Sequence, residues 1–441
     1  MADRTQIALA LALWMIVGAA AFVVYESLPA EVAGYQDFKP YHGGALALRR
    51  GVDPYGGDFA AVFAKLGDPM GKLSAWERAE PQLDTPAWLL LFEPFTFLEP
   101  PDAYRAWAAF NLLCLGAALL ILIRELGPSG APGWTVAAAM LLYPPIAINF
   151  WFAQSEIVLL LIFVLALAAV RRQHHGVAGA ILAAAALLRA YPLGMFGYLV
   201  ARRAWRACGY FIGTSILGCA AVVASAGFAP AASFVRVAAG ALLTHSSGVP
   251  AGLLKHPANL NLGAFVHLVA GDRGWASAAA LAIELAAAAF VAAAAPGDDR
   301  YGCGFALWLV VITMLSPVAW PQFLVCLVPL YVGIAAARYE KRLPRRVLNL
   351  AGASYLAALL MGGPLGFLAR GLARTSAPHL HFSYFLPAEA AFVSLVCAYF
   401  AAYFAAHFES SSAAASRCSQ EQRGGRSDLA PSRIRPRSVG R

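Results

Sequence analysis

Asp37 is the first side chain in the sequence whose position indicates chemistry. It lies about a dozen residues beyond the first long apolar run, which ends at Tyr25, and at the start of a polar loop. A carboxylate within hydrogen-bond reach of a hydroxyl group can accept its proton as the hydroxyl attacks, which is general-base catalysis. Aspartate also caps the starts of short helices, so a structural role for Asp37 is the alternative.

Arg189 is the second such side chain, because it interrupts an apolar stretch over residues 176–200. Its guanidinium keeps its charge and presents a planar fork of donors that matches a phosphate group. Pro192 follows closely and removes a backbone donor, which favours a broken helix. Broken helices at membrane depth commonly line binding sites. The alternative is an unbroken span in which Arg189 extends to the membrane surface.

Several other polar side chains are expected on the outer side of the membrane, where they predict a polar cavity with Arg189 at the tip of a helix hairpin. Gln154, Asn259 and Asn261 belong to this group by their positions between apolar segments. Lys255 and His256 lie in an outer loop and could hold a phosphate or an acceptor sugar.

The elements that carry these residues are predicted to be membrane helices. The chain has 441 residues, 60% hydrophobic and 13% charged, and its mean hydropathy is +0.63, which excludes an ordinary soluble protein. Apolar runs recur along the chain at lengths that cross a hydrocarbon core of about 30 Å. The first run, residues 7–25, is predicted to be a retained helix rather than a signal peptide. The sequence has no P-loop, dinucleotide fingerprint or zinc signature.

The net charge of +9 indicates how the chain is oriented in the membrane rather than a nucleic-acid partner. Arginines cluster in short loops at 171–172, 202–206 and 338–346, which is the pattern of cytoplasmic loops. The seven cysteines form no CxxC motif, so neither a disulfide framework nor a metal site is expected. We therefore predict no cofactor. A divalent metal would have to use outer-loop carboxylates, which form no convincing ligand cluster.

If every arginine-rich loop lies in the cytoplasm, then segments 86–98, 176–200 and 260–270 cannot cross the membrane fully. The prediction is an all-α polytopic protein of the cytoplasmic membrane, with roughly 10–13 transmembrane or half-membrane helices. Residues 1–408 form a single membrane domain, with outer loops at 26–85 and 229–259. Residues 409–441 are predicted to be a disordered, basic cytoplasmic tail.

The order and spacing of six short motifs resemble glycosyltransferase family 87, whose members are integral membrane enzymes of the GT-C class. The resemblance covers most of residues 35–335. The motifs are Asp37-Phe38-x-x-Tyr41 with residues 51–55, Thr85-Pro86, Tyr143-Pro144-Pro145 with Gln154, Leu188-Arg189-Ala190-Tyr191-Pro192, Asn259-Leu260-Asn261-Leu262, and Ser316-Pro317-Val318-Ala319-Trp320.

The resemblance implies that a sugar moves from a polyprenyl-phosphate-linked donor to a lipid or glycan acceptor on the outer face of the membrane, with inversion at the anomeric carbon. It implies Asp37 as the catalytic base. Arg189 stands where the family usually has lysine, and with Lys255 and His256 it is expected to bind the donor phosphate. The predicted substrate-binding residues are Tyr41, His42, Gln154, Asn259, Asn261, Trp320 and Gln322. The sugar, whether mannose, arabinose or another, is left open.

The chain departs from the family pattern at three places, one of which is an insertion-like stretch over residues 56–84 of the outer loop. Gln322 stands where a histidine is usual after the late tryptophan, and it cannot titrate near neutral pH. Ala153 replaces the glycine usual before Gln154. Two binding residues also have alternatives: His42 as a solvated loop residue and Trp320 as part of an interfacial aromatic belt.

A second class of function is a transporter or flippase that binds an anionic substrate through Arg189 and its broken helix. The long outer loop that carries Asp37 favours the enzyme, because a transporter needs no such loop. The sequence also shows no inverted repeat. A non-catalytic scaffold is the third possibility, if Gln322 signals lost activity.

Overall fold

The structure is a computed structural model that describes residues 38–67, 82–127, 131–244, 259–261, 301–316, 318–340, 343–361 and 393–408, and single positions 15, 275, 282 and 286. These residues form helices and no β-strand, as predicted. We number the helices α1 Phe38–Arg49, α2 Phe59–Leu66, α3 Pro86–Phe92, α4 Pro100–Glu125, α5 Ala131–Leu141, α6 Pro144–Trp151, α7 Glu156–Arg171, α8 His175–Leu188, α9 Met195–Ala201, α10 Trp205–Ala226, α11 Phe228–Thr244, α12 Cys303–Leu315, α13 Val328–Tyr339, α14 Arg345–Leu359 and α15 Val393–Phe408.

The long apolar helices identify a membrane protein. Within the described residues, three helical segments are long and apolar enough to cross a bilayer, or four if the bent pair α5 and α6 is one span. That pair bends by 45° at the prolines after Tyr143, because proline disrupts a regular helix. The longest segment, α4, has 26 residues, which corresponds to about 39 Å.

Small residues let the central helices approach closely. A Cβ atom on Gly179 of α8 would lie 2.1 Å from the carbonyl oxygen of Ala207 in α10, so only glycine fits there. A Cβ atom on Gly218 of α10 would similarly lie 2.1 Å from Leu187 Cδ1. The interface of α8 with α10 therefore depends on Gly179, which faces backbone, more than on Gly218, which faces a flexible side chain, in agreement with the small-residue packing of membrane helices.

The predicted break in segment 176–200 is present. α8 ends at Leu188, and Arg189 is extended, with φ −140° and ψ 141°. A 3₁₀ turn at Tyr191–Gly194 then leads into α9. With 14 residues, α8 is about 21 Å long, which is shorter than the hydrocarbon core. The hydroxyl of Thr85 donates a hydrogen bond to the freed carbonyl of Leu188 over 2.8 Å.

The other predicted segments have mixed outcomes. Segment 86–98 is the 7-residue helix α3 followed by a 3₁₀ turn at Glu93–Phe97, which is too short to cross. The predicted outer loop 229–259 is helical at its start, because α11 begins after a sharp turn at Gly227 and is rich in helix-forming alanine and leucine. Three predicted segments lie largely outside the described residues. They are the first predicted helix at 7–25, of which only Met15 is described, segment 260–270 beyond residue 261, and the whole of the tail 409–441.

Candidate functional site

Helix α1 carries Tyr41 into a buried group of aromatic side chains. Tyr41 is 3% exposed and packs edge-on against Trp88 of α3, with ring centroids 5.5 Å apart. Phe38, one turn earlier, is fully buried and packs against Phe92. A Cβ atom on Gly44 would lie 2.3 Å from Gln82 Nε2, so this glycine lets the loop before α3 lie against α1.

Arg189 is the centre of a hydrogen-bonded cluster at the break after α8. Its guanidinium forms an ion pair with Asp84 and donates through Nη2 to the hydroxyl oxygen of Tyr41. It also donates to Ser155 Oγ, from Nη2 over 2.8 Å and from Nε over 3.0 Å. The guanidinium carbon lies 5.6 Å from the ring centroid of Trp88, a cation–π distance. The side chain is 17% exposed, so its charge is held largely out of water.

Asp84 is a functional candidate that sequence reasoning missed. Its side chain is 7% exposed, and the Tyr55 hydroxyl donates to its backbone carbonyl over 2.6 Å. Burial raises the pKa of the Asp84 carboxyl, and the charge of Arg189 acts in the opposite direction. The sequence signal that could have identified Asp84 is its position directly before Thr85, the residue that caps α3.

Glu156 is a second missed carboxylate, 3% exposed, in the first turn of α7. The Tyr191 hydroxyl donates to Glu156 Oε2 over 2.7 Å. The Ser155 hydroxyl lies 3.5 Å from Glu156 Oε1 and also accepts from Arg189. The guanidinium of Arg189 is therefore paired directly with Asp84 and linked to Glu156 through the Ser155 hydroxyl.

Gln154 joins the same cluster. Its side-chain oxygen accepts from the Tyr41 hydroxyl over 3.1 Å. The preceding residue, Ala153, has φ 56°, in the left-handed region that favours glycine. Its carbonyl accepts from Trp107 Nε1 over 2.8 Å. This conformation explains why a glycine suits the position before Gln154.

Asn259 and Asn261 hold the backbone of the turn before Trp320. Asn259 Oδ1 accepts from the backbone N–H of Ala319 over 2.9 Å. Asn261 Nδ2 donates to the carbonyl of Ser316 over 2.9 Å. The carbonyl of Gln322 accepts from Asn149 Nδ2 over 3.0 Å. Asn259 and Asn261 therefore hold the backbone of this turn, and Asn149 holds the backbone at Gln322.

The amide-held turn lies beside the Arg189 cluster. The ring of Tyr191 stacks on Phe323, with centroids 5.2 Å apart and an interplanar angle of 27°. Trp320 is partly buried at the start of the same 3₁₀ segment, Pro321–Leu327. Tyr191 therefore connects the two groups of predicted residues.

His42 is buried, and its alternative as a solvated loop residue is wrong. It is 3% exposed, and its ring packs 5.6 Å from that of Phe38. Neither ring nitrogen has a hydrogen bond of good geometry among the described residues. Burial lowers the pKa of His42 to about 4, with a smaller contribution from Arg49, while the nearby Leu98 backbone acts in the opposite direction. Aromatic neighbours distant in the sequence produce this burial.

Three predicted site residues, Asp37, Lys255 and His256, lie outside the described residues. Asp37 immediately precedes α1 in the sequence. Among the residues that the structure describes, no group of three His, Cys, Asp or Glu side chains could hold a metal ion.

Comparison with protein families adds an independent finding. Residues 83–321 match the family described as Glycosyltransferase family 87, and this range includes Asp84, Gln154, Arg189 and Trp320. Asp37 lies outside the matched range, and Gln322 is the first residue after it. A comparison with curated proteins gave no significant match. Because the match covers more than half of the chain, the protein belongs to glycosyltransferase family 87 and is a membrane glycosyltransferase.

Proposed function

We propose that the protein transfers a sugar from a polyprenyl-phosphate-linked donor to a lipid or glycan acceptor on the outer face of the cytoplasmic membrane, with inversion at the anomeric carbon. The observation that carries the proposal is the buried Arg189 at the break between two half-helices. A fixed cation at such a break suits the phosphate of a donor whose lipid tail stays in the membrane.

Arg189 would bind the donor phosphate by exchanging partners. Its present partners are Asp84, Tyr41 and Ser155, and a phosphate oxygen would take the place of the Asp84 carboxylate. Tyr41 and Ser155 would keep the guanidinium oriented. Lys255 and His256 are proposed as further phosphate contacts.

Asp37 is the proposed base. The acceptor oxygen forms a bond with the anomeric carbon while the bond from that carbon to the donor phosphate oxygen breaks. The proton of the acceptor hydroxyl passes to Asp37, and the bonding electrons leave with the phosphate, where Arg189 stabilises the developing charge. A single displacement of this kind inverts the anomeric configuration.

Under this proposal, some of the other predicted residues position the site and the rest contact the substrate. Tyr41 and Gln154 orient Arg189, and the paired asparagines position the turn before Trp320. Trp320 is proposed to stack against the sugar or its lipid. His42 and Gln322 complete the predicted substrate-binding set.

A transporter or flippase for an anionic substrate is the second candidate. The same buried Arg189 at a helix break favours it, because such breaks also build transport sites. The two candidates differ in what they need: only transfer requires a base.

The test is mass spectrometry of envelope lipids and glycans from cells that carry the wild-type protein, a deletion or Asp37→Asn at matched expression. The deletion and Asp37→Asn are expected to lack the same single-sugar increment, whose mass identifies the sugar class. Asp58→Asn is the matched control, because Asp58 caps α2 and asparagine caps equally well. If only the deletion changes the profile of envelope lipids and glycans, Asp37 is not the base, and the transporter becomes the favoured function.

A further inference from the structure

A second basic site lies at the opposite end of α8 from Arg189. A cavity of about 490 Å³ opens there, between the junction of α7 with α8 and the junction of α9 with α10. We call it the basic cavity. Its residues include His175, at the start of α8, whereas Arg189 follows the last residue of that helix. The 14 residues of α8 separate the two sites by about 21 Å.

Two equivalent turns build the cavity walls. After α7, Gln173 has φ 60° and its N–H donates to the carbonyl of Val170. After α9, Arg203 has φ 53° and its N–H donates to the carbonyl of Val200. Each turn leads directly into the next helix. The close contact of Gly179 with Ala207 holds these helices together near the turns, so both turns border one cavity.

The lining of the basic cavity is cationic. It includes Arg202, Arg203 and Arg206, and no acidic side chain among the described residues borders it. Arg203 and Arg206 are exposed, so their guanidinium groups are available to a ligand. Arg202 packs over the ring of Tyr198 at 5.6 Å, which orients it at the cavity wall.

The chemistry of this lining matches a phosphate group. Arginine forks bind phosphate oxygens in pairs. The first turns of α8 and α10 border the cavity through His175 and Trp205, and helix N-termini add partial positive charge toward an anion. The volume falls in the range of small-molecule sites, about 300–1,000 Å³.

The surroundings favour a lipid over a soluble phosphate. Trp205, at the cavity edge, is 65% exposed, and exposed tryptophan is typical of the headgroup level of a membrane. By the positive-inside pattern the arginine clusters predict that this end of α8 lies on the cytoplasmic side, whose leaflet attracts basic surfaces through its anionic lipids. We propose that the basic cavity binds the phosphate-bearing headgroup of an anionic lipid of the cytoplasmic leaflet.

Such a lipid would brace the two half-helices that carry Arg189 at their other end. Because the headgroup would contact both turns, its binding would oppose separation of the α7–α8 and α9–α10 pairs. This inference does not depend on which sugar is transferred or on which carboxylate acts as the base.

The test uses the purified full-length protein in detergent, with phosphatidylglycerol, phosphatidylcholine of the same acyl chains, and inorganic phosphate as probes. Native mass spectrometry should show tighter binding of phosphatidylglycerol than of phosphatidylcholine to the wild-type protein. Phosphatidylglycerol should also raise the thermal unfolding temperature more. Arg203→Gln/Arg206→Gln should weaken phosphatidylglycerol binding by about 30-fold, since each basic residue near a lipid surface contributes a factor of about five to six.

The matched control is Arg124→Gln/Arg338→Gln, which removes the same charge from exposed ends of α4 and α13. It should bind phosphatidylglycerol as the wild type does. Equal binding by the two double variants, or equal binding of the two lipids to the wild type, would overturn the proposal. Protection by inorganic phosphate without a preference for phosphatidylglycerol would also overturn it and indicate a soluble ligand. Size-exclusion chromatography confirms that each variant is folded.

Discussion

The two ends of α8 present arginine in opposite ways. At the break, Arg189 is largely buried, paired with Asp84 and hydrogen-bonded to Tyr41 and Ser155. In the basic cavity, Arg203 and Arg206 are exposed, and no described acidic side chain borders them. A buried charge requires partners that replace water, whereas an exposed one does not. The difference indicates one site that holds a cation in a fixed geometry and one that attracts an anion at a membrane surface.

Replacement of Arg189 should have the largest effect in the buried region. Arg189→Ala leaves Asp84 buried without its cation, which is expected to destabilise the fold by about 3 kcal/mol. It should also reduce sugar transfer by about 100-fold or more, because a preorganised charge is lost. Arg189→Lys keeps the charge but not the fork, and should retain more activity. Thermal unfolding and accumulation of the glycosylated product measure the two effects.

The double variant Arg189→Ala/Asp84→Ala separates stability from activity. Removing both charges should restore most of the lost stability, because no unpaired buried charge remains. Activity should stay low, since the proposed phosphate contact is still missing. Recovery of activity in the double variant would contradict the role of Arg189.

Lowering the pH should reduce the stability of the folded protein through His42. An unfolded histidine titrates near 6.5, whereas the folded protein holds the His42 pKa at about 4. Between these values the unfolded chain binds a proton that the folded chain does not, so stability falls as the pH falls through this window. The full loss is about 3 kcal/mol. Thermal unfolding between pH 7.5 and 4 measures it.

His42→Leu is the matching variant, because leucine cannot titrate and suits an apolar site. It should show a smaller loss of stability over the same pH window. An identical pH dependence in the variant and the wild type would show that His42 does not cause the effect.

The smallest expected effect concerns a feature that the two regions share. Ala153 in the buried region and Gln173 at the basic cavity both have positive φ, at 56° and 60°. Ala153→Gly and Gln173→Gly relieve a cost of about 1 kcal/mol but add chain entropy to the unfolded state. Both should therefore be neutral or slightly stabilising. Ala109→Gly, in the regular helix α4, is the control and should lose about 1 kcal/mol in thermal or denaturant unfolding.

The break at Arg189 could be predicted from the sequence because its signals are local. A fixed charge in an apolar run and a proline three residues later both disfavour an unbroken helix. The bend after Tyr143 follows from local prolines in the same way. Gln154 could be recognised as a candidate polar residue from its position between two apolar segments.

The partners of Arg189 could not be predicted from such signals. Asp84 is 105 residues away in the sequence, and its pairing follows from the packing of the α3 loop against the end of α8. The burial of His42 likewise depends on rings from α3 and α4 that pack around Phe38. The basic cavity requires the close contact of Gly179 with Ala207, which no local pattern indicates.

The most direct test of the account compares Asp37→Asn with Asp84→Asn in the same envelope profile, because both remove one carboxylate. Asparagine at 84 can still accept a hydrogen bond from Arg189, so this variant should keep the single-sugar increment, reduced at most about tenfold. Asp37→Asn should lose the increment. Loss in Asp84→Asn together with retention in Asp37→Asn would contradict the account and identify Asp84 as the base.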